Sequence, residues 1–182
     1  MLTHRLGICA AALTLAVAPA ALAAQTNSQD SDYIAKVSTA APAAVVASAT
    51  IMQIEANGSM RTLRAGTNGF TCMLVDATAP MCADAGAMAW MQALVKHAAP
   101  PDATGFVYML AGDNGASNSD PYATAPADGN HWVKTGPHVM IVGASVKSMG
   151  YPMSLDPDAT RPYVMWPGTP YAHLMIPVST TQ

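Results

Sequence analysis

The chain has few charged residues, and it has no concentration of charge of either sign. Of its 182 residues, 8 are Lys or Arg and 11 are Asp or Glu, which gives a net charge of −3 at pH 7. The basic residues are scattered singly, so no basic stripe is available to bind nucleic acid or an anionic membrane through charge. With 51% hydrophobic residues, 14 Pro and 13 Gly, the composition is typical of a folded, loop-rich protein.

The short motifs that mark common catalytic sites are also absent. The sequence contains no Gly-x-Ser-x-Gly, no His-Glu-x-x-His, no phosphate-binding loop and no Gly-x-Gly-x-x-Gly. Chemistries that need none of these motifs stay open, so the sequence does not decide whether the protein is an enzyme.

Long apolar runs are lacking too, except for one at the N-terminus. The run from Ile8 to Ala23 follows Arg5 and ends in a small-x-small pattern, which is typical of a cleaved signal peptide. We expect residues 1–24 to be that signal peptide and residues 25–182 to form a single globular domain, secreted or periplasmic. No later run reaches ~18 apolar residues, so we expect no stable membrane span after cleavage.

Cysteine is scarce, with three residues in the whole chain. Cys9 lies in the expected signal peptide, which leaves Cys72 and Cys82. In an oxidising compartment these two predict a disulfide. A pair of metal thiolates is the alternative, although the spacing is not Cys-x-x-Cys.

Short apolar runs separated by turn residues predict the fold class. Asn57-Gly58 is a strong hairpin signal between a strand beginning near Ala49 and a return strand at Met60–Arg64, and this explains Asn57-Gly58-Ser59 better than its match to a glycosylation sequon. Further strands are expected at Phe70–Val75, Gly105–Ala111, His131–Lys134, His138–Gly143, Tyr163–Trp166 and Tyr171–Val178. Asp76–Ala83 is expected to be a loop. We therefore predict an α+β fold with an antiparallel β-sheet of about five to seven strands.

One main helix, at about residues 84–98, is expected to pack on a face of this sheet. Asp84 supplies an N-cap and Pro100-Pro101 stops the helix. An apolar stripe at helical spacing predicts the buried face; it comprises Met88, Met91, Val95 and Ala98, widened by Trp90 and Leu94. A further turn or two of helix is expected within Asp32–Ser38, and the conformation of Ala43–Ala49 stays open between helix and strand.

Two strands carry the pattern His-x-Met, at His138 and Met140 and at His173 and Met175. Successive side chains of a strand alternate between its faces, so each pair lies on one face. If the strands are neighbours in register, two imidazoles and two thioethers form a soft donor set suited to Cu(I), with Met109, Met165, Met149 or Met153 as further donors nearby. The alternatives are ordinary core packing, in which Met fills gaps, and a hydrolase or lyase site. In the latter the two histidines are acid and base, with partners among Asp113, Asp120, Asp156 and Asp158.

The long loop Gly112–Asn130 and the aromatic residues beside it suggest a small-ligand site. Loops of this length in compact domains are functional or mobile. We expect Asp113 and Asp120 from the loop, with Trp132 and Tyr171, to contribute ligand contacts. The same loop offers oxygen donors as a Ca²⁺ site does, although it departs from EF-hand spacing.

The segments Trp132–Met140 and Tyr163–Val178 resemble those of a group of uncharacterised exported bacterial proteins, and Gly69–Cys72, Pro80–Cys82 and Ala116–Pro121 fit the same pattern. The resemblance implies export and a disulfide, and it implies no activity. The sequence as a whole therefore favours an exported small-ligand or copper-binding module around His138 and His173. A hydrolase or lyase using these histidines, or a structural or partner-binding secreted protein without activity, are the alternatives.

Overall fold

Residues 28–178 are the part of the chain that the computed structural model describes, and they contain three α-helices, a 3-10 helix and ten strands. The helices are α1 (Ser28–Val37), α2 (Ala43–Ala47) and α3 (Ala85–Val95), and the 3-10 helix is Ala144–Ser148. The strands are β1 (Thr50–Ile54), β2 (Met60–Arg64), β3 (Thr71–Leu74), β4 (Pro80–Ala83), β5 (Gly105–Met109), β6 (Ala116–Ser117), β7 (Trp132–Val133), β8 (His138–Val142), β9 (Tyr163–Met165) and β10 (His173–Pro177).

Eight of the strands form one sheet in the order β2-β1-β3-β4-β5-β8-β10-β9. The predicted α+β class and the mostly antiparallel pairing are confirmed, but the sheet is mixed because β1 and β3 run parallel. The expected count of five to seven strands is wrong, since β4 had been predicted as part of a loop. Pro80 begins β4, a position at which a proline is tolerated in a sheet. All four residues of β4 pair with β3, and Cys82 and Ala83 also pair with β5.

The predicted disulfide is present at the centre of the β3–β4 pair. Cys72 and Cys82 lie directly opposite each other, and their sulfur atoms are 2.01 Å apart. Both are fully buried on the face of the sheet that α1 and α2 cover, packed with Val37, Val46 and Ile51. This second helical layer was not predicted, and it leaves the bridge without solvent contact.

The opposite face of the sheet carries α3. The Asp84 side chain caps this helix by accepting a hydrogen bond from Ala87 N at 2.8 Å, as predicted. The helix ends at Val95 rather than near Ala98, and Val95 is 79% exposed. The buried residues of the helix are Ala87, Trp90 and Ala93.

The predicted buried stripe is wrong at its C-terminal end, where Val95 and Ala98 are exposed, whereas its other members, Trp90, Met88, Met91 and Leu94, are buried or partly buried against the core. A close contact between α3 and β5 sets which side of the helix is most buried. Gly105 lies against the first turn of α3, where a Cβ on Gly105 would clash with the backbone of Ala87. Such an approach requires glycine in the strand and small residues on the contacting side of the helix. The helix accordingly turns Ala87, Trp90 and Ala93 to the sheet.

Most of the other predicted strands are present with shorter bounds, β2 has the predicted bounds, and α1 begins four residues before the predicted Asp32. The terminal strands β9 and β10 form the expected antiparallel hairpin. The strand expected at His131–Lys134 is only Trp132–Val133, and it pairs with β6 in a separate two-stranded sheet. Ala43–Ala47 is helical, which decides the question that the sequence left open.

The expected signal peptide at residues 1–24 lies outside the described residues. Between residues 28 and 178, no helix is both long and apolar enough to cross a membrane.

Candidate functional site

His138 begins β8 and is fully buried. Its Nδ1 lies 2.7 Å from the carbonyl oxygen of Gly136, two residues earlier in the chain. A carbonyl oxygen only accepts, so Nδ1 carries the proton and the neutral ring leaves Nε2 as a bare lone pair. Burial lowers the pKa of His138 below its ordinary value, against the raising effects of the Gly136 bond and of the Asp113 carboxylate.

The Nε2 atom of His138 is buried and has no hydrogen-bond partner among the described residues. Buried side-chain nitrogens in folded proteins almost always have a partner, and each exception calls for an explanation. The atom is a σ-donor held in an apolar interior, which is the state of an imidazole before it binds a metal ion.

His173 begins β10 and repeats the local arrangement of His138. Its Nδ1 donates to the carbonyl oxygen of Tyr171 at 3.0 Å, again two residues earlier. The ring meets Trp90 and Trp166 edge-on, with centroid separations of 5.3 and 4.8 Å. Burial lowers the pKa of His173 to about 4, so the ring is neutral near pH 7.

The two His-x-Met strands are neighbours, as the prediction required. Met140 lies directly opposite Met175 in the β8–β10 pair, so all four predicted donors share the face that α3 covers. His138, however, is opposite Pro177, four residues from His173 along β10. At about 3.3 Å per residue, the two histidines are offset by roughly 13 Å along the strands. Met140 and Met175 therefore lie between the two histidines along the strands, and His138 is still near enough to contribute to the lowered pKa of His173.

Met109 adds a third thioether beside His138. It lies directly opposite His138 in the β5–β8 pair and is 6% exposed. Directly opposed residues of an antiparallel pair have Cβ atoms about 4.5–5.5 Å apart. By strand register three methionines are neighbours of His138: Met109 directly across β5, Met140 two residues along β8, and Met175 diagonally across β10.

A polar group lies at the edge of this apolar site. The Asp113 carboxylate accepts hydrogen bonds from the backbone N–H groups of Gly115 and Thr135, both at 2.9 Å. Burial raises the pKa of Asp113, while the Thr135 N–H and the nearby His138 act to lower it. Thr135 Oγ1 also shares a 2.8 Å hydrogen bond with Tyr163 Oη, and burial raises the pKa of Tyr163 to about 12.

The other residues predicted to contact a ligand do not converge with Asp113 on one pocket. Trp132 covers Gly115, and Asp120 accepts a hydrogen bond from Tyr122 N at 2.9 Å within a turn. Tyr171 donates its hydroxyl to Ala98 O at 2.8 Å and meets Trp90 edge-on. Each has a structural role, and ligand binding by these side chains stays a prediction.

Two arrangements were missed by the sequence reasoning. The side chain of Asn118, fully buried, bonds three backbone groups of distant segments. His131 Nδ1 lies 2.8 Å from Asp156 Oδ1 in a partly exposed pair that joins the two long loops. Neither has a local sequence signal, because the partners are separated by at least 25 residues.

The rest of the described chain offers few other sites. Between residues 28 and 178, no group of three or more His, Cys, Asp or Glu side chains is placed to hold a metal ion. Two shallow surface depressions, of about 150 and 310 Å³, are lined by neither His138 nor His173. A site built on His138 would therefore depend on thioether sulfur for its other ligands.

No protein family, curated protein or solved structure matches this chain. The resemblance to exported bacterial proteins accordingly stays an expectation. A functional assignment depends on the site geometry alone.

Proposed function

We propose that the protein is an exported module that binds one soft metal ion, Cu(I), through His138 Nε2 and neighbouring methionine thioethers. The observation that carries the proposal is the fully buried Nε2 lone pair, which lacks a partner among residues 28–178. An imidazole whose other nitrogen donates to a backbone carbonyl has the tautomer and the orientation of a metal ligand.

The surrounding donors favour a soft, monovalent ion. Met109, Met140 and Met175 offer thioethers on the same face, and soft sulfur ligands select Cu(I) over harder ions. The Asp113 carboxylate interacts electrostatically with His138, and it would offset the charge of a bound cation. Cys72 and Cys82 are bonded to each other, so they supply no thiolate to compete with this site.

The proposal assigns ligation to His138 rather than to both histidines. His138 and His173 are offset by four residues along β8 and β10, and the ring of His173 packs edge-on against Trp90 and Trp166. The proposed copper site therefore lies at the His138 end of the Met140–Met175 pair, and His173 is not one of its ligands.

A structural or partner-binding role is the second candidate, and a specific observation favours it. Both histidines are buried, and each donates Nδ1–H to a backbone carbonyl, as expected of core histidines without chemistry. The hydrolase or lyase alternative has less support, because neither ring is open to solvent. The one imidazole–carboxylate hydrogen bond found within residues 28–178 belongs instead to His131 and Asp156.

Titration with Ag(I), a soft and redox-inert substitute for Cu(I), separates the first two candidates. A metal-binding module should take up one Ag(I) and melt at a higher temperature, since a ligand that binds only the folded state stabilises it. The ¹⁵N resonance of His138 Nε2 should shift on binding. His138→Gln should lose uptake, whereas His131→Gln, a change at a partly exposed histidine, should retain it.

Two results would overturn the metal proposal. In the first, the melting temperature and the His138 resonance stay unchanged at an Ag(I) concentration that saturates a reference peptide with thioether ligands. The other is retention of stoichiometric uptake by a folded His138→Gln variant. Either result would leave the structural role as the better account of His138.

A further inference from the structure

One surface motif takes no part in the metal site. Asn57-Gly58-Ser59 forms the tip of the β1–β2 hairpin and is the only Asn-x-Ser/Thr triplet in the chain. Glu55 stands two residues before Asn57, which completes the pattern Glu-x-Asn-x-Ser. Hairpin chemistry accounts for Asn57-Gly58, but it requires neither the serine nor the glutamate.

We propose that Asn57 is a site of N-linked glycosylation in the export compartment. The donor would be a polyprenyl-diphosphate-linked oligosaccharide, and the transferase would be of the bacterial class that requires an acidic residue two positions before the asparagine. The inference rests on the expected export of the chain and is independent of metal binding.

The hairpin presents the acceptor amide outward. Asn57, Gly58 and Ser59 are all exposed, and Ser59 N–H donates to Asn57 Oδ1 at 2.9 Å. This bond fixes the amide oxygen, and Nδ2 makes no hydrogen bond to any described residue. Gly58 has a φ of 79°, and a Cβ built there would meet no atom within 4 Å, so the tip is open to a bulky substrate.

The flanking residues are held close to the acceptor. Glu55 N–H donates to Ser59 O at 2.8 Å, which closes the turn and sets Glu55 and Ser59 on either side of Asn57. A transferase could therefore contact the acidic residue, the acceptor and the serine within one short, protruding loop.

The proposed glycan transfer is a substitution at the anomeric carbon of the lipid-linked sugar. A bond forms between Asn57 Nδ2 and the anomeric carbon of the sugar, and the bond from that carbon to the phosphate oxygen breaks. The polyprenyl diphosphate leaves with the electron pair, and the amide proton passes to a carboxylate of the transferase. The product is an asparagine-linked glycan on the hairpin tip.

Arg61 and the transferase would compete for the carboxylate of Glu55. Its Nε lies 2.7 Å from Glu55 Oε1, and its Nη2 lies 2.8 Å from Asp30 Oδ1. A transferase that binds Glu55 Oε1 must displace Arg61, and exposed ion pairs of this kind are weak. Arg61→Gln should therefore accelerate modification.

The test uses the purified, folded protein with a membrane transferase of this class and its lipid-linked donor. Intact mass should increase by one glycan, and peptide mass spectrometry should locate the glycan at Asn57. Asn57→Gln should abolish the increase. Glu55→Gln should slow it by roughly tenfold or more, because hydrogen bonds to charged groups are the stronger ones.

An acceptor peptide with the same Glu-x-Asn-x-Ser pattern is the control. No mass increase of the folded protein while the peptide is modified would overturn the proposal. Modification of only the reduced, unfolded chain would overturn it as well, because the hairpin would then hide the site. Equal rates for Glu55→Gln and the native protein would overturn recognition through Glu55, and an unchanged rate for Arg61→Gln would overturn the competition argument.

Discussion

Met140 on β8 lies directly opposite Met175 on β10, so the two methionines are cross-strand neighbours between the strand positions of the two buried histidines. Met175→Leu should keep the fold, because a volume-conserving swap in a core costs less than about 1.5 kcal/mol. If the sulfur is a ligand, the same change should weaken Ag(I) binding while the melting temperature of the metal-free protein stays nearly constant. Calorimetric titration and thermal unfolding measure the two effects.

Met73 provides the matched control for this prediction. It is buried in the same core cluster, on β3, two strands beyond β5. Met73→Leu should leave Ag(I) affinity unchanged. Equal affinities of Met175→Leu, Met140→Leu and Met73→Leu would remove the Met140–Met175 pair from the ligand set.

The buried imidazole of His173 predicts a loss of stability in mild acid. Its pKa falls from 6.5 to about 4 in the folded protein, so the unfolded chain binds more protons between these values. The stabilisation is complete above about pH 6.5 and decreases as the pH falls towards 4, by up to about 3 kcal/mol. Urea unfolding at about pH 5 and about pH 7 measures the difference.

Neighbouring groups modify this pH dependence in known directions. Burial lowers the pKa of His138, which adds to the effect, whereas it raises the pKa of Asp113, which opposes it. His173→Gln has no titrating ring and should show a flatter stability curve between pH 5 and 7. The same slope in this variant and in the native protein would show that His173 does not dominate the acid response.

Local sequence signals were sufficient for hairpins and for the disulfide. Asn57-Gly58 predicts the β1–β2 turn because few residues tolerate its backbone, and β2 has the predicted bounds Met60–Arg64. Cys72 and Cys82 were the only cysteines outside the expected signal peptide. These predictions succeed because the information lies within a few residues.

Features that depend on distant neighbours were not predictable in the same way. Pro80–Ala83 is a strand because β3 and β5 pair with it on both sides, although its own residues read as a loop. The buried face of α3 depends on Gly105, about twenty residues away. The alternation of side chains along a strand predicts that His138 and Met140 share one face. The four-residue offset between His138 and His173 depends on how β8 pairs with β10, and this register is not encoded in either strand alone.

A single substitution of Asn118 should destabilise the folded protein strongly. Its Nδ2 donates to Ser154 O and Leu155 O at 3.0 and 2.8 Å, and its Oδ1 accepts from Trp166 N at 2.9 Å. Asn118→Ala leaves the buried Trp166 N–H unpaired and removes the bonds that hold Ser154 O and Leu155 O, which should lower the free energy of unfolding by roughly 2 kcal/mol or more. Urea denaturation measures this loss.

Asn68 is the matched control, since it also bonds two backbone groups, Val45 O and Phe70 N, but is exposed. Water can replace its bonds, so Asn68→Ala should cost about 1 kcal/mol or less. Similar losses at the two positions would mean that Asn118 does not hold the long loops to β9.

The disulfide-bonded protein should be more stable than the reduced protein, and chemical reduction of Cys72–Cys82 tests this without any mutation. The bridge spans 10 residues, and closing a loop of this size in the unfolded chain stabilises a fold by about 2–3 kcal/mol. The native protein should show no reactive thiol, because both sulfurs are bonded and fully buried. After the protein is unfolded in reductant and refolded, the dithiol form should unfold at a lower urea concentration. The loss in free energy of unfolding should be about 2–3 kcal/mol. Two thiols titrating in the untreated native protein would rule out the bridge. Equal urea midpoints for the two forms would show that packing by α1 and α2, rather than the covalent link, stabilises this side of the sheet.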